Sequence, residues 1–217
     1  MGDIILVTRS KYDDGTEYLS YYASLILKEA GEKGIRAKDF EGKEANKDSI
    51  IKFIEKKNPK LVFINGHGDE DSLYGHDNKM IFSSDNVLLL KDRIVYARAC
   101  SAGAKFGMDV VKNNSGCFIG YKYPFQFWID ERWSAKPSND NIAKLYLEPS
   151  NKIVSFILDG NSPRYADEKS KEMMLENMKK ILKLEEKKEP GAMGMLQVLW
   201  NNFDGQVLHG DGSSRFT

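Results

Sequence analysis

Cysteine is almost missing from this chain. Cys100 and Cys117 are the only two in 217 residues, too few for a disulfide framework, and both stand in or beside apolar runs where a thiol packs as a small hydrophobe. A reducing, cytoplasmic setting is therefore expected. Net charge is missing too: 32 Lys and Arg offset 32 Asp and Glu, so no overall field draws in nucleic acid or an anionic membrane, and neither is expected as a partner. No apolar run approaches the roughly eighteen residues that cross a bilayer, and the opening MGDIILVTRS places no basic region before its short apolar run. Neither a signal peptide nor an anchor is read there. Met1-Gly2 is not followed by the small hydroxyl residue that myristoylation needs. Histidine is scarce, with three in all and no pair at zinc-like spacing. Gly66-His67-Gly68 lacks the third glycine of a dinucleotide fingerprint, so nucleotide binding and cofactors are not expected. The one metal expectation is weak calcium at the acidic run Asp69 to Asp71, which lacks the ordered alternation of a calcium loop.

What the chain does have is alternation. Its length suits one domain over 1–217, with a core over 3–121 and a loop and helical part over 122–217. Strand-length apolar runs fall at Asp3 to Thr8, Ile35 to Phe40, Leu61 to Ile64, Arg93 to Ala99 and Cys117 to Tyr121. Between them the spacing predicts helices over Glu17 to Lys33, Asp48 to Lys57 (capped by Asn46 or Asp48) and Ala102 to Lys112. That order predicts an α/β three-layer sandwich, a mainly parallel central sheet with helices on both faces. Lys122 to Asn141 reads as a long loop over one sheet edge. Two short helices, Ile142 to Leu147 and Lys152 to Leu158, come next. A long charged helix over Tyr165 to Lys188, another over Met193 to Asn202 and a short strand, Gln206 to His209, complete the pattern.

Two strand ends carry chemistry. The first is "KLVFINGHGDED", in which a buried strand runs into His67 between two glycines. The second is "RIVYARACSAGAKFG", in which a buried strand ends at Cys100. A thiol at the start of the helix expected from Ala102 would meet the positive end of its dipole, which favours thiolate. If the two strands are sheet neighbours, their ends lie about 5 Å apart, within side-chain reach. A Cys/His pair in that position suits nucleophilic catalysis. The Gly68 and Cys100 amides are then candidates for an oxyanion hole.

Hydrophobic strand, His-Gly, spacer, hydrophobic strand, Ala-Cys is the signature of the clan of cysteine endopeptidases that includes caspases, legumain, separase, clostripain and the gingipains. This chain resembles that clan at "VFINGHG" and "IVYARACSAG". The His-to-Cys gap, 100 − 67 = 33 positions, is similar to that of gingipain-like members and shorter than the caspase gap of about 50. The stretch "QVLHGD" resembles a "LLGDP" segment near the end of gingipain-type catalytic domains, with Gly212 where proline is usual. The resemblance covers Asp3 to Tyr121 well and the last third weakly.

It implies a caspase-like fold, Cys100 as nucleophile, His67 as general base and acid, and a peptide or protein substrate, without a strict third catalytic residue. It also implies a first specificity pocket built from the loop after strand one and the segment beyond the nucleophile. Asp13, Asp14, Ser101, Trp128 and Asp130 are the substrate-binding candidates there, and the acidic residues lean towards a basic residue before the cut. Cys117 reads as a core thiol, His76 as an exposed loop residue and His209 as a packing residue. Two rival readings remain beside the peptidase: a non-catalytic binding module on the same fold, and a different thiol hydrolase or acyltransferase. Oligomeric state is left open by the sequence.

Overall fold

The computed structural model describes residues 3–216. Within them the chain runs β1 (Ile4–Arg9), α1 (Asp14–Glu32), β2 (Arg36–Glu41), α2 (Lys47–Lys57), β3 (Leu61–Asn65), β4 (Ser72–Tyr74), β5 (Met80–Ser83), β6 (Ile94–Arg98), α3 (Phe106–Val111), β7 (Cys117–Tyr121), α4 (Asn141–Leu158), α5 (Pro163–Glu186), α6 (Ala192–Gly205) and β8 (Gln206–Gly210). Six strands form one sheet in the order β2-β1-β3-β6-β7-β8. All neighbours pair in parallel except β7 and β8, which are antiparallel.

The sheet needs both faces covered because its central strands are buried throughout, as parallel strands usually are. Alternation assigns the faces. Ile5, Val7, Leu61, Phe63, Ile94, Tyr96, Cys117 and Ile119 pack with α1, α4, α5 and α6. Leu6, Val62, Ile64, Val95, Ala97 and Phe118 pack with α2, α3 and the β4–β5 hairpin. The expected α/β sandwich is the fold observed. No helix among the described residues is long and apolar enough to cross a membrane.

Local chemistry explains most boundaries. α1 starts three residues ahead of the expected Glu17, because Asp13 caps it: the Asp13 carboxylate accepts from Thr16 N–H, and Thr16 reciprocates towards the Asp13 backbone. Asn46 caps α2, accepting from Ser49 N–H at 3.0 Å, the kind of bond that contributes about 1 kcal/mol.

Two expectations are corrected. The helix expected from Ala102 begins only at Phe106, because the intervening turns are held to the end of β7. Ser101 N–H donates to Tyr123 O at 3.1 Å and Gly103 N–H to Tyr121 O at 2.8 Å, and these bonds win over helical propensity. Residues 142–158 form one helix and not two, with Pro149 inside it. A proline cannot donate to the carbonyl four residues back. Here that carbonyl, Leu145 O, accepts instead from Asn177 Nδ2 of α5 at 2.8 Å. The β4–β5 hairpin had no sequence signal strong enough to be read.

Candidate active site

The central ladder brings the two chemical residues together. β3 and β6 are parallel neighbours, with Phe63 opposite Tyr96 and Asn65 opposite Arg98. His67 and Cys100 each follow that last pair by two positions (67 − 65 = 100 − 98 = 2), so both reach the carboxyl edge at one level. Ligands of open α/β sheets gather at that edge.

Below them the same alternation stacks Phe63 on Tyr96, with ring centroids 5.0 Å apart, and joins Arg98 Nε to Asn65 Oδ1 at 2.9 Å. Arg98 has no solvent exposure. Its remaining bonds go to Ser150 Oγ, Asn151 Oδ1 and the Leu19 carbonyl, at 2.8–3.0 Å. These acceptors are all neutral, and burial pushes the guanidinium pKa down from its usual value. The strand ends therefore rest on one guanidinium that ties β6 to β3, α1 and α4.

His67 is exposed on one side and held on the other. Its Nε2 lies 2.7 Å from Asp13 Oδ2, while Asp13 Oδ1 accepts from Thr16 N–H at 2.7 Å. Asp13 thus spans the cap of α1 and the imidazole. Burial raises the carboxyl pKa, but the bonds to His67 and Thr16 outweigh it, and the net shift is below the usual value. Asp13 was expected to touch substrate. The structure places it against His67, a partnership between residues 54 positions apart that no local pattern announces. Tyr12 packs its ring between His67, at 5.8 Å, and His76, at 5.5 Å. His76 is correspondingly more buried than an open loop residue, with 14% of its side chain exposed.

Cys100 is half-buried, and its Sγ lies 3.7 Å from the Phe125 carbonyl, to which the thiol donates. Among the described residues no hydrogen bond joins Sγ to His67. Burial pushes the thiol pKa up from its usual value. The dipole argument for a thiolate fails along with the early helix start. Iodoacetamide labelling of Cys100 should therefore be slow near pH 7 and still rising above pH 9, the usual value. Cys117, fully buried and pushed up to about 12, should stay unlabelled in the folded protein. Fast Cys100 labelling below pH 8, read by mass spectrometry, would show that something other than burial sets this thiol.

Gly68 closes the site from the β3 side. A Cβ there would stand 2.9 Å from Cys100 O and 3.0 Å from Ala99 Cβ, so only glycine allows this approach. Among the described residues, neither Gly68 N–H nor Cys100 N–H donates to a protein acceptor. Two cavities are lined by His67 or by residues next to the partners of the pair, and neither is lined by Cys100. One of about 490 Å³ is lined by Tyr12, Asp13, His67, Gly68, Asp69 and Tyr74. The other, about 280 Å³, lies between Asp14 and Gly15 on one side and Gln126, Phe127 and Ile129 on the other.

The other sequence candidates are spread out. Asp14 lines the smaller cavity, and Ser101, at φ 55°, makes the turn beside Cys100. Trp128 lies against Gly191, just before α6, and Gly194 in its first turn. Asp130 is taken up by Arg132, whose Nε and backbone N–H bond to Oδ1 at 2.9 and 3.1 Å. In the acidic run, Asp69 accepts from Tyr74 OH at 2.6 Å and Asp71 pairs with Lys105. His209 packs as expected, with Nε2 2.8 Å from Gly103 O and its ring stacked on Phe118. Gln126, Phe127 and Ile129 were missed individually, since nothing in a non-periodic loop marks which residues turn inward.

The fold superimposes on solved peptidase structures. The complex of Porphyromonas gingivalis RgpB pro- and mature domains matches with a TM-score of 0.62 over 98% of this chain. The chain has the gingipain fold. Identity to that structure is 12%, and the match covers 48% of its length. The Arg specific cysteine proteinase gingipain R (RgpB) matches at TM-score 0.56 and 14% identity, over 98% of this chain and 46% of that one. A structure described only as a protease matches at 0.56 and 12%, over 99% of this chain and 48% of that one. This chain thus spans about half the length of the gingipain structures it matches. No family model matches the chain, and no curated protein matches it in sequence.

Proposed function

We propose that the protein is a cysteine endopeptidase acting through Cys100 and His67 on peptide bonds that follow a basic residue. The observation that carries this is the β3–β6 register, which delivers a thiol and an imidazole to one level of the carboxyl edge. In this mechanism Asp13 holds His67 through Nε2 and leaves Nδ1 free to take the Cys100 proton. The sulfur attacks the substrate carbonyl, and the unused Gly68 and Cys100 amides receive the oxyanion. His67 then protonates the departing amine, and the acyl-enzyme forms. Water, deprotonated by His67, releases the acid and restores the thiol.

The cavity beside Asp14 takes the side chain before the cut. Its carboxylate meets the cationic tip while Phe127 and Ile129 cover the aliphatic stem. The 490 Å³ cavity on the His67 side accommodates the departing half. Both cysteines are free, which suits a reducing compartment such as the cytoplasm.

One observation favours a second reading, a non-catalytic binding module: the thiol is half-buried and bonded to Phe125 O, with no hydrogen bond to His67 among the described residues. A panel of fluorogenic peptides separates the two. The wild type should cleave after Lys or Arg at least about tenfold better than after Ala or Asp, and Asp14→Asn should lose most of that preference through KM. Absence of cleavage across the panel under reducing conditions favours the binding module.

A further inference from the structure

The segment after β7, residues 122–130, forms one wall of the small cavity and supplies the carbonyl that accepts from the Cys100 thiol. It has no helix or strand of its own, so its shape must be imposed from outside. At its ends Lys122 N–H donates to Gly205 O at 2.8 Å, Ser101 N–H to Tyr123 O at 3.1 Å, and Asp130 N–H to Asp140 Oδ2 at 2.8 Å. Between those anchors, beyond the thiol contact, the hydrogen bonds to the rest of the protein among the described residues come from one side chain. Asn202, 1% exposed, accepts from Gln126 N–H through Oδ1 at 3.1 Å and donates from Nδ2 to Gln126 O at 2.6 Å.

An asparagine amide offers donor and acceptor side by side, so it pairs with both backbone groups of one residue as a neighbouring strand would. The clasp lies next to the Phe125 carbonyl that meets Cys100 and to Gln126, Phe127 and Ile129, which line one cavity with Asp14. Trp128 is settled on the same helix, where a Cβ at Gly194 would come within 2.8 Å of its ring.

We propose that Asn202 is a positioning residue for the site: by clasping Gln126 it sets both the cover over the Cys100 thiol and the wall of the substrate cavity. The wall role rests on the peptidase reading; the cover role does not. Two measurements on the full chain test the two halves. With the clasp removed in Asn202→Ala, the cover loosens, and Cys100 alkylation at pH 8 should speed up about tenfold, as one unit of lowered thiol pKa would give. Cys117 should remain unlabelled. On the basic peptide, KM should rise about tenfold with kcat held within about threefold.

Asn177→Ala is the control for a purely structural loss, because it removes a comparable buried amide-to-carbonyl bond far along the chain, between α5 and α4. It should lower Tm similarly and leave both readouts alone. Equal alkylation rates in wild type and Asn202→Ala, or equal acceleration in Asn177→Ala, overturn the cover role. An unchanged KM overturns the wall role. Should Asn202→Ala fail to fold, Asn202→Asp keeps the bond from Gln126 N–H, loses the one to Gln126 O, and is read by the same criteria. A wild type that cleaves no peptide removes the peptidase reading, while alkylation still decides the cover role.

Discussion

Cys100→Ala is expected to remove peptide hydrolysis, lowering kcat/KM by at least about 10³-fold. The loss should fall on kcat. The side chain is small and half-buried, and the cavity that would hold the substrate is lined by other residues, so binding should survive. His67→Ala should lose a comparable amount, and the double variant little more, because nucleophile and base act as a unit. Folding should be unaffected within about 1 kcal/mol, since the thiol gives up one weak contact to Phe125 O. A Cys100→Ala protein that still cleaves peptides at near wild-type rate would overturn the mechanism outright. A wild type whose thiol stays slow while peptide is hydrolysed would instead mean that substrate binding draws Cys100 off Phe125 O and towards His67.

Arg98→Ala is expected to be the most damaging change away from Cys100 and His67, costing on the order of 3–5 kcal/mol of stability. Removing a buried cation relieves its desolvation cost, which taken alone would stabilise. Against that stand the acceptors it leaves behind: Asn65 Oδ1, Ser150 Oγ, Asn151 Oδ1 and Leu19 O. Each buried acceptor without a donor costs about 1–3 kcal/mol, and the emptied volume adds a cavity term. The acceptors win because several are stranded by a single truncation. In a chain of this size each kcal/mol moves Tm by about 2–4 °C, so calorimetry should show a drop of roughly 10 °C. Arg98→Lys should recover little, because a point-like ammonium cannot match a planar fork with five donors. A loss below about 1 kcal/mol would mean that burying the guanidinium already cancels what its bonds contribute.

Acid should act on the site through Asp13. Its carboxyl is held below the usual value, so its contribution to stability is present above the unfolded value of 3.8 and fades as pH falls through the lower folded one. His67→Ala removes one of the two partners that depress this pKa and should move that fading to higher pH.

Strand and helix order was largely legible in the residues, and so was the position of His67 and Cys100 at two strand ends. Alternation and helical spacing are local properties, written within a few positions of each residue. Two glycines about a histidine and an Ala-Cys at a strand end mark places where backbone geometry matters. The one-helix run through Pro149 was not legible, because the group that makes the proline tolerable, Asn177, comes from another helix. The start of α3 was misplaced for the same reason: Ser101 and Gly103 answer to β7 and not to their neighbours in sequence. The partner of His67 and the anchor of Gln126, separated by 54 and 76 positions, are set only when α1, α6 and the sheet pack. Periodicity alone determined the layers, and the strand-end motifs placed His67 and Cys100 at one edge. The tertiary structure decided which carboxylate holds the imidazole, what covers the thiol and which loop residues face Asp14, because those contacts join elements whose relative placement exists only once the core is closed.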